Sequence, residues 1–214
     1  MKTFKQILDT IYSQSQLSDE AKAEFAEYTD EQKLAVTIAL NEIWEAYEYP
    51  FKERLESFNT VASTANYDLP YGKLKRIVIQ DTKQELYYVE TTDTLQSQES
   101  SPYCYSLENN QINMYPVPDD VYTINMRFYT DNKAINGTTE KDTLELEDDV
   151  LNIPSWLESH FIVTLGYKAG MNLNSSPTSD EEYTHWNNNY NTALALLKTK
   201  SNRNAAPPSF RIGR

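Results

Sequence analysis

The pattern of apolar and polar residues in the first part of the chain predicts helices. The clearest helix spans residues 30–48, where apolar residues recur every three or four positions and fall on one face. These residues are Val36, Leu40, Ile43, Trp44 and Tyr47. Thr29 and Gln32 have the spacing of a capping box at its start. Pro50 ends this helix, because the residue before a proline avoids the helical conformation. We expect Trp44, on the apolar face, to lie in the core.

Further helices are predicted at both ends of the chain. One begins at Thr3 and another at Ser18, since both residue types cap helices well. Two more, over residues 154–171 and 179–200, close the fold. The first is apolar on several sides, as central helices are, and we expect Phe161 in the core. The second carries one apolar stripe that consists of Trp186, Tyr190, Ala193, Leu194 and Leu197.

Between residues 51 and 130 the pattern changes to that of strands. β-branched and aromatic runs alternate with polar residues and short turns. These runs are residues 74–79, 86–89, 103–107, 112–115 and 121–130. Asn109 and Asn110 separate two of them and predict a tight hairpin, because asparagine tolerates positive φ. Residues 131–149 are predicted to be a polar loop with a turn at Asn136 and Gly137.

The order of helices, strands and helices predicts an α+β fold. We expect a helical bundle built from both chain ends, with an inserted, mostly antiparallel β subdomain and an extended C-terminal tail. The predicted segments are N-terminal helices over 1–50, the β subdomain over 51–130, a loop and closing helices over 131–200, and the tail over 201–214.

The distribution of charge is uneven. The 214 residues carry a net charge of −13, yet residues 183–214 contain five basic and no acidic residues. The rest of the chain therefore holds 14 basic and 32 acidic residues, and such a body repels nucleic-acid phosphates. A cationic end on an acidic body indicates an interaction tail, or else an ordinary solvated terminus.

The scarcity of metal-binding residues limits the possible chemistry. A single cysteine, Cys104, excludes an intramolecular disulfide and a Cys-cluster zinc site, and two histidines exclude a His-rich metal site. The sequence contains no run of 18 apolar residues, so it predicts no membrane span. The first residues also lack the apolar stretch of a signal peptide. We therefore expect no cofactor, no metal and no membrane contact, and assembly in a reducing cytosol.

No catalytic motif is present. Cys104 lies in a predicted strand and is expected to be buried and inert. His160 is expected to pack within its helix and His185 to lie at the surface. The run Glu145, Glu147, Asp148 and Asp149 matches no calcium loop and is interpreted as a solvated face or as counter-charges for a partner.

Tyrosine is concentrated in the strand region. Nine of the 16 tyrosines lie between residues 67 and 129, and tyrosine suits both half-buried sheet faces and interfaces. Such a sheet could stack on single-stranded nucleic acid, but that mode needs a cationic groove, which the acidic body argues against.

One longer pattern is more specific than these features. It consists of residues 51–61, 66–70, 74–79, 101–103, 112–118 and 122–129, then an acidic loop, Ile153-Pro154 and two helices. Over residues 30–200 it resembles the head-to-tail adaptor (connector or head-completion) proteins of tailed bacteriophages. In that family a Tyr-x-Leu-Pro segment, here residues 67–70, follows the first β element. A hairpin containing Tyr-Pro-x-Pro, here residues 115–118, comes later.

The resemblance implies a structural role. Members form a ring, usually of 12 copies, beneath the portal protein at the head–tail junction of the virion. The ring extends the DNA channel and supports the next tail or ring protein, while packaged DNA passes without specific binding. The resemblance implies no enzyme activity, no cofactor, and assembly in the host bacterial cytoplasm.

The C-terminal tail is the candidate docking segment for the portal. An extended chain places its two apolar anchors on one side and cationic groups beside them. The residues concerned are Arg203, Pro207, Pro208, Phe210, Arg211, Ile212 and Arg214. DNA in the channel is the rival target, since the positive charges also suit phosphates.

Two other functional classes remain open from the residues alone. One is a monomeric or dimeric binding module whose β subdomain takes a carbohydrate or a peptide. The other is an enzyme of unknown type.

Overall fold

The elements of the protein are taken from a computed structural model, which describes residues 1–14, 24–69, 72–90, 98–173 and 180–203. Its four α-helices are α1 (Phe4–Gln14), α2 (Asp30–Glu45), α3 (Glu158–Leu173) and α4 (Asp180–Arg203). Its strands are β1 (Glu53–Asn59), β2 (Asn66–Asp68), β3 (Gly72–Ile79), β4 (Glu85–Tyr88), β5 (Cys104–Glu108), β6 (Gln111–Tyr115), β7 (Thr123–Thr130), β8 (Ala134–Asn136), β9 (Thr139–Lys141) and β10 (Val150–Leu151). The α+β class is confirmed, with a large sheet that is mostly antiparallel.

The chain divides into two units. The helical unit comprises the described residues of Met1–Lys52 and Asn132–Arg214, and the sheet unit is Glu53–Asp131. The helix predicted from Ser18 falls partly on residues 15–23, outside the described residues, and a short 3₁₀ helix follows at Phe25–Glu27. In the described part of the chain, no helix is both long enough and apolar enough to cross a membrane.

α3 is the central helix of the helical unit, packing against α1, α2 and α4. Trp44 of α2 and Phe161 of α3 are fully buried, and their ring centroids lie 6.4 Å apart in an edge-to-face arrangement. Both predicted core positions are confirmed. Leu197 of α4 is also fully buried in this core, so the predicted stripe of the last helix faces inward.

Both N-terminal helices begin with the predicted caps. Thr29 Oγ1 accepts a hydrogen bond from the Gln32 amide at 3.2 Å, and Gln32 Oε1 accepts one from the Thr29 amide at 3.0 Å. Thr3 and Gln6 make the same reciprocal pair at the start of α1. Each box satisfies amides that the helix itself leaves without partners.

α2 ends at Glu45, not at about residue 48 as predicted. The chain turns early because Tyr49 enters the core, where its ring stacks on Phe51. The buried Lys52 Nζ then donates to the Trp44 carbonyl at 2.8 Å. This bond satisfies a terminal carbonyl and places a cation at the negative end of the helix dipole.

The boundaries of the last two helices also differ from prediction. α3 begins at Glu158, because Pro154 first opens a tight turn in which the Leu157 amide donates to the Pro154 carbonyl. α4 continues to Arg203, three residues beyond the predicted end, so the segment at 201–203 is helical and not extended. Tertiary contacts hold this last turn, since Asn202 exchanges hydrogen bonds with the Tyr47 hydroxyl.

The predicted polar loop over residues 131–149 is wrong. β8 pairs antiparallel with both β9 and β10, forming a small sheet in the order β10-β8-β9, and Thr3 bridges to Val150 at its edge. The predicted turn at Gly137 is the loop of the β8–β9 hairpin, and Gly137 has a φ of 61° there. Strands of two or three residues are too short to show an alternating pattern.

The sheet unit contains seven strands in the order β1-β7-β3-β4-β5-β6-β2. All neighbours are antiparallel except β4 and β5, which run parallel. The predicted hairpin between β5 and β6 is confirmed, since Asn109 and Asn110 have φ angles of 51° and 61°. The alternation predicted for the last long strand also holds, with Ile124, Met126 and Phe128 buried in β7.

The sheet curls around its apolar face. β1 and β2 are its outermost strands, yet the rings of Phe58 and Tyr67 lie 5.0 Å apart. The Tyr67 hydroxyl also donates to the Thr64 carbonyl at 2.7 Å. The core enclosed by this curl is aliphatic for the most part and includes Ile77, Ile79, Leu86, Ile112, Met114, Ile124 and Met126.

The Tyr-Pro-x-Pro segment does not form the hairpin that the resemblance implied. β6 ends at Tyr115 and β7 begins at Thr123, but the two strands are not neighbours in the sheet. The segment crosses between strands, and Val117, between the two prolines, exchanges backbone hydrogen bonds with Gln98 and Ser100. Its end is held where the Tyr122 amide donates to Thr60 Oγ1 at 2.7 Å.

Candidate interaction surfaces

The residues considered for catalysis are one cysteine and two histidines. Cys104 is buried in β5, and burial raises the pKa of its thiol, which leaves it poorly nucleophilic. His160 Nδ1 lies 3.3 Å from Ser159 Oγ on α3, and His185 Nε2 lies 2.9 Å from Asn189 Nδ2 on α4. Among the described residues no group of His, Cys, Asp or Glu could hold a metal ion.

Asp149 corrects the expectation that the acidic run is a solvated face. It is fully buried, whereas the three other acidic residues of the run are exposed. Its Oδ2 accepts hydrogen bonds from the amides of Glu145 and Leu146, both at 2.8 Å. Its Oδ1 accepts from Asn136 at 2.8 Å and lies 3.2 Å from Lys141 Nζ.

These contacts decide the protonation state of Asp149. Burial by itself raises the pKa of the carboxyl, but the hydrogen bonds from Leu146, Asn136, Glu145 and Lys141 outweigh it and lower that pKa. The charged carboxylate therefore ties β8, β9 and the 145–149 turn together. Its role is structural.

An exposed groove runs between α3 and α4, with a volume of about 310 Å³. Ser159, His160, Val163 and Tyr167 line it from α3, and α4 contributes residues that include Thr192 and Leu196. Val163 and Leu196 are each 47% exposed, so both present aliphatic surface in the groove. We call these six residues the α3–α4 surface.

The α3–α4 surface also includes four residues that follow along α4 to the end of the helix. A neighbouring depression is lined by Ala195 and Thr199 and ends at two cations, Lys200 and Arg203. Among the described side chains, none that lines either depression is acidic. In a chain with 32 acidic residues this is a marked local depletion, and depletion of charge is typical of interface cores.

A second exposed apolar patch lies on α2. Leu34 and Ile38 are 57% and 40% exposed, one helical turn apart on the side opposite the buried stripe. Glu31 and Glu45 are exposed on the same side of the helix, toward its two ends. We call these four residues the α2 outer face. Leu34 and Ile38 could have been found in the sequence as the apolar residues left over once the inward stripe is assigned.

The sheet unit presents exposed tyrosines. Tyr87 and Tyr88 of β4 are both more than half exposed. Tyr87 packs at 5.7 Å against Tyr103, which packs at 5.7 Å against Tyr115. Tyrosines held in this way offer rigid contact area at low entropic cost, which suits recognition.

The predicted docking tail is mostly beyond what the structure describes. Arg203 is exposed in the last turn of α4. The remaining tail candidates lie outside the described residues; they are Pro207, Pro208, Phe210, Arg211, Ile212 and Arg214.

Comparison with known proteins identifies the family of the chain. The family model described as SU10 adaptor protein matches residues 12–212, nearly the whole chain and parts of both units. No curated protein matches the chain. The chain therefore belongs to the SU10 adaptor protein family, whose members are structural adaptor proteins of bacteriophage virions.

Proposed function

We propose that this protein is a head-to-tail adaptor that forms a ring beneath the portal, extends the DNA channel and provides the platform for tail attachment. The observation that carries the proposal is the match to an adaptor family across nearly the whole chain. The ring contains about 12 copies, as the resemblance to phage connectors implies. It assembles in the host cytoplasm, lies at the head–tail junction and has no catalytic role.

The surfaces of the helical unit support the proposal of a ring. We propose that this bundle, built from both ends of the chain around α3, carries the contacts between copies. A ring needs head-to-tail contacts, in which one surface of a subunit meets a different surface of the next. The α3–α4 surface and the α2 outer face are two such different surfaces on one unit, and both expose aliphatic side chains.

The excess of acidic residues supports the proposal that the chain forms a channel wall. The chain has a net charge of −13, and each phosphate contact by lysine or arginine would add binding that a moving DNA strand must break. A wall with few cations lets DNA pass with little retention. Residues 183–214 are the exception. Arg211 and Arg214 belong to the docking segment in this proposal, and Lys198, Lys200 and Arg203 lie on α4.

We propose that the C-terminal tail docks into an acidic, apolar-lined groove of the portal. Phe210 and Ile212 are its apolar anchors, with Arg211 and Arg214 beside them. The prolines at 207 and 208 stiffen the lead-in, which lowers the entropic cost of binding.

The tail is tested by attachment to portal-bearing heads. Truncation after Ala206, or replacement of Phe210 and Ile212 with Ser, should reduce attachment at least about tenfold, since large apolar anchors dominate such contacts. If the tail contacted DNA instead, the serine variant would attach normally and attachment would fall steeply with salt. Normal attachment by both variants would show that the tail is a solvated terminus.

The overall function is tested by counting copies on heads. Purified protein is added to portal-bearing heads that lack it, and the bound copies are counted by quantitative mass spectrometry before tails are added. We expect a fixed number of copies per head, close to the number of subunits in the proposed ring. Tails should attach only to heads that carry the protein. A chain that stays monomeric or dimeric and never binds heads, but binds a carbohydrate or peptide, would support the binding-module alternative.

A further inference from the structure

The α2 outer face and the α3–α4 surface both expose apolar side chains, and they differ in the charges around them. The α2 outer face has Glu31 and Glu45 beside its aliphatic pair. The described lining of the α3–α4 surface contains no acidic residue, and the surface ends at Lys200 and Arg203. The first patch is therefore apolar and negative, and the second is apolar and positive.

We propose that the α3–α4 surface of one copy of this chain binds the α2 outer face of the next copy. This inference rests on the proposed ring and assigns the surfaces that build it. Opposite charges at the rim of an apolar contact set its register and disfavour wrong pairings. The pairing covers both patches with one kind of contact, which repeats from copy to copy.

The spacing of apolar and charged residues agrees along the two helices. On α4, Arg203 lies seven positions after Leu196, a rise of about 10 Å. On α2, Glu45 lies seven positions after Ile38, which is also a rise of about 10 Å. When the aliphatic side chains meet, one acidic group can therefore lie opposite Arg203.

The two patches lie on different helices of the helical unit, although the chain just after α2 meets the end of α4, where Tyr47 and Asn202 exchange hydrogen bonds. α3 packs against both α2 and α4, whereas α2 and α4 make few contacts with each other. Leu34 and Ile38 point away from the buried side of α2, which holds Val36, Leu40 and Ile43. One copy can therefore bind a neighbour through each patch at the same time, as a closed ring requires.

The C-terminal segment of the chain itself suits the α3–α4 surface less well. It follows Arg203 directly and is long enough to reach back along α4. However, it adds Arg211 and Arg214 and has no acidic residue, so it would bring like charges to the cations at 200 and 203. Charge therefore favours a second copy over the tail.

Crosslinking tests the pairing in the full-length chain. Ile38 and Leu196 are both replaced with Cys, the protein is assembled on portal-bearing heads, and a short bismaleimide is added. The native Cys104 is buried, so the reagent addresses the new thiols. We expect a ladder of covalent dimers, trimers and larger species, while Ile38→Cys alone and Leu196→Cys alone stay monomeric on a denaturing gel.

Several results would overturn the pairing. Dimers from Leu196→Cys alone would indicate a symmetric contact of α4 with itself. An intramolecular crosslink between Leu196→Cys and Phe210→Cys would place the tail on the surface. No ladder on heads that carry their normal number of copies would refute this interface and leave the adaptor function intact. Failure of the unmodified chain to bind heads would instead refute the proposed function.

A charge swap gives a second, independent measurement. Glu45→Lys and Arg203→Glu should each lower the number of heads that carry the protein at least about tenfold, because like charges then face each other. The double variant restores opposite charges and should recover most of the loss. Circular dichroism of each variant checks that the fold is retained. A double variant that is as defective as the single ones would contradict the pairing of these two residues.

Discussion

At the scale of single residues, Asp149 is a buried structural group within an acidic run that is typical of exposed segments. Its neighbours in the run are exposed, but its own carboxylate accepts hydrogen bonds from two backbone amides and one asparagine and lies beside a lysine. The small sheet around Asp149 has only short strands. Its conformation is therefore stabilised by a buried ionised group more than by a pattern of apolar residues.

Asp149→Asn should destabilise the helical unit by about 2–4 kcal/mol, because a charged acceptor is lost and buried donors are left unsatisfied. The carboxyl pKa is lowered in the folded protein, so this stabilisation is present above an unfolded pKa near 3.8. It is lost as pH falls through the lowered folded pKa. Below that range, wild type and variant should converge.

Urea unfolding at several pH values measures this difference. All three tryptophans, Trp44, Trp156 and Trp186, belong to the helical unit, so tryptophan fluorescence reports the unfolding of that unit. Glu147→Gln, at an exposed acid of the same run, is the matched control and should change the free energy of unfolding little. Equal stability of Asp149→Asn and wild type at neutral pH would contradict the structural role.

At the scale of elements, α3 combines a buried side with an exposed one. Phe161 is fully buried beside Trp44, while Val163, two residues later, is nearly half exposed. The same helix therefore serves the core and the α3–α4 surface. This division predicts opposite consequences for two substitutions of similar chemistry.

Phe161→Ala should cost about 3–5 kcal/mol of stability, since it removes a core ring and leaves a cavity. Val163→Ala should cost less than about 1 kcal/mol in the isolated chain, because its side chain is already in contact with water. Chemical denaturation followed by circular dichroism compares the two. A Phe161→Ala protein as stable as Val163→Ala would mean that the core does not lie between α2 and α3.

The sequence predicted the long elements well because their patterns repeat. The stripe of α2, the alternation of β7 and the Asn109-Asn110 turn are local signals, and the structure contains all three. Helix ends were less predictable because distant residues decide them, as Lys52 does for α2. The pairing of β7 with β1 and β3 depends on contacts across the whole unit, which no local pattern encodes.

The candidate surfaces were predictable only in part. The lack of acidic residues in the last helix after Glu182 is visible in the sequence, as are the cations near its end. The sequence alone does not show that Val163 belongs to the same surface or that Leu34 and Ile38 are exposed. Both depend on which sides of α3 and α2 face the core. Helical periodicity gives the stripe, but packing decides which apolar residues remain outside it.

At the scale of the whole molecule, the proposed account is one of assembly. The chain belongs to a phage adaptor family, carries an excess of acidic residues and exposes two unlike apolar patches on its helical unit. Each feature is of little use to a lone monomer. Together they suit a subunit that repeats around a channel.

The most direct test of this account is an image of the virion by electron cryomicroscopy at side-chain resolution. The account predicts a closed ring of this chain between the portal and the tail, with the central channel open to DNA. Density at that position that fits other proteins only, or a chain located elsewhere in the virion, would contradict it.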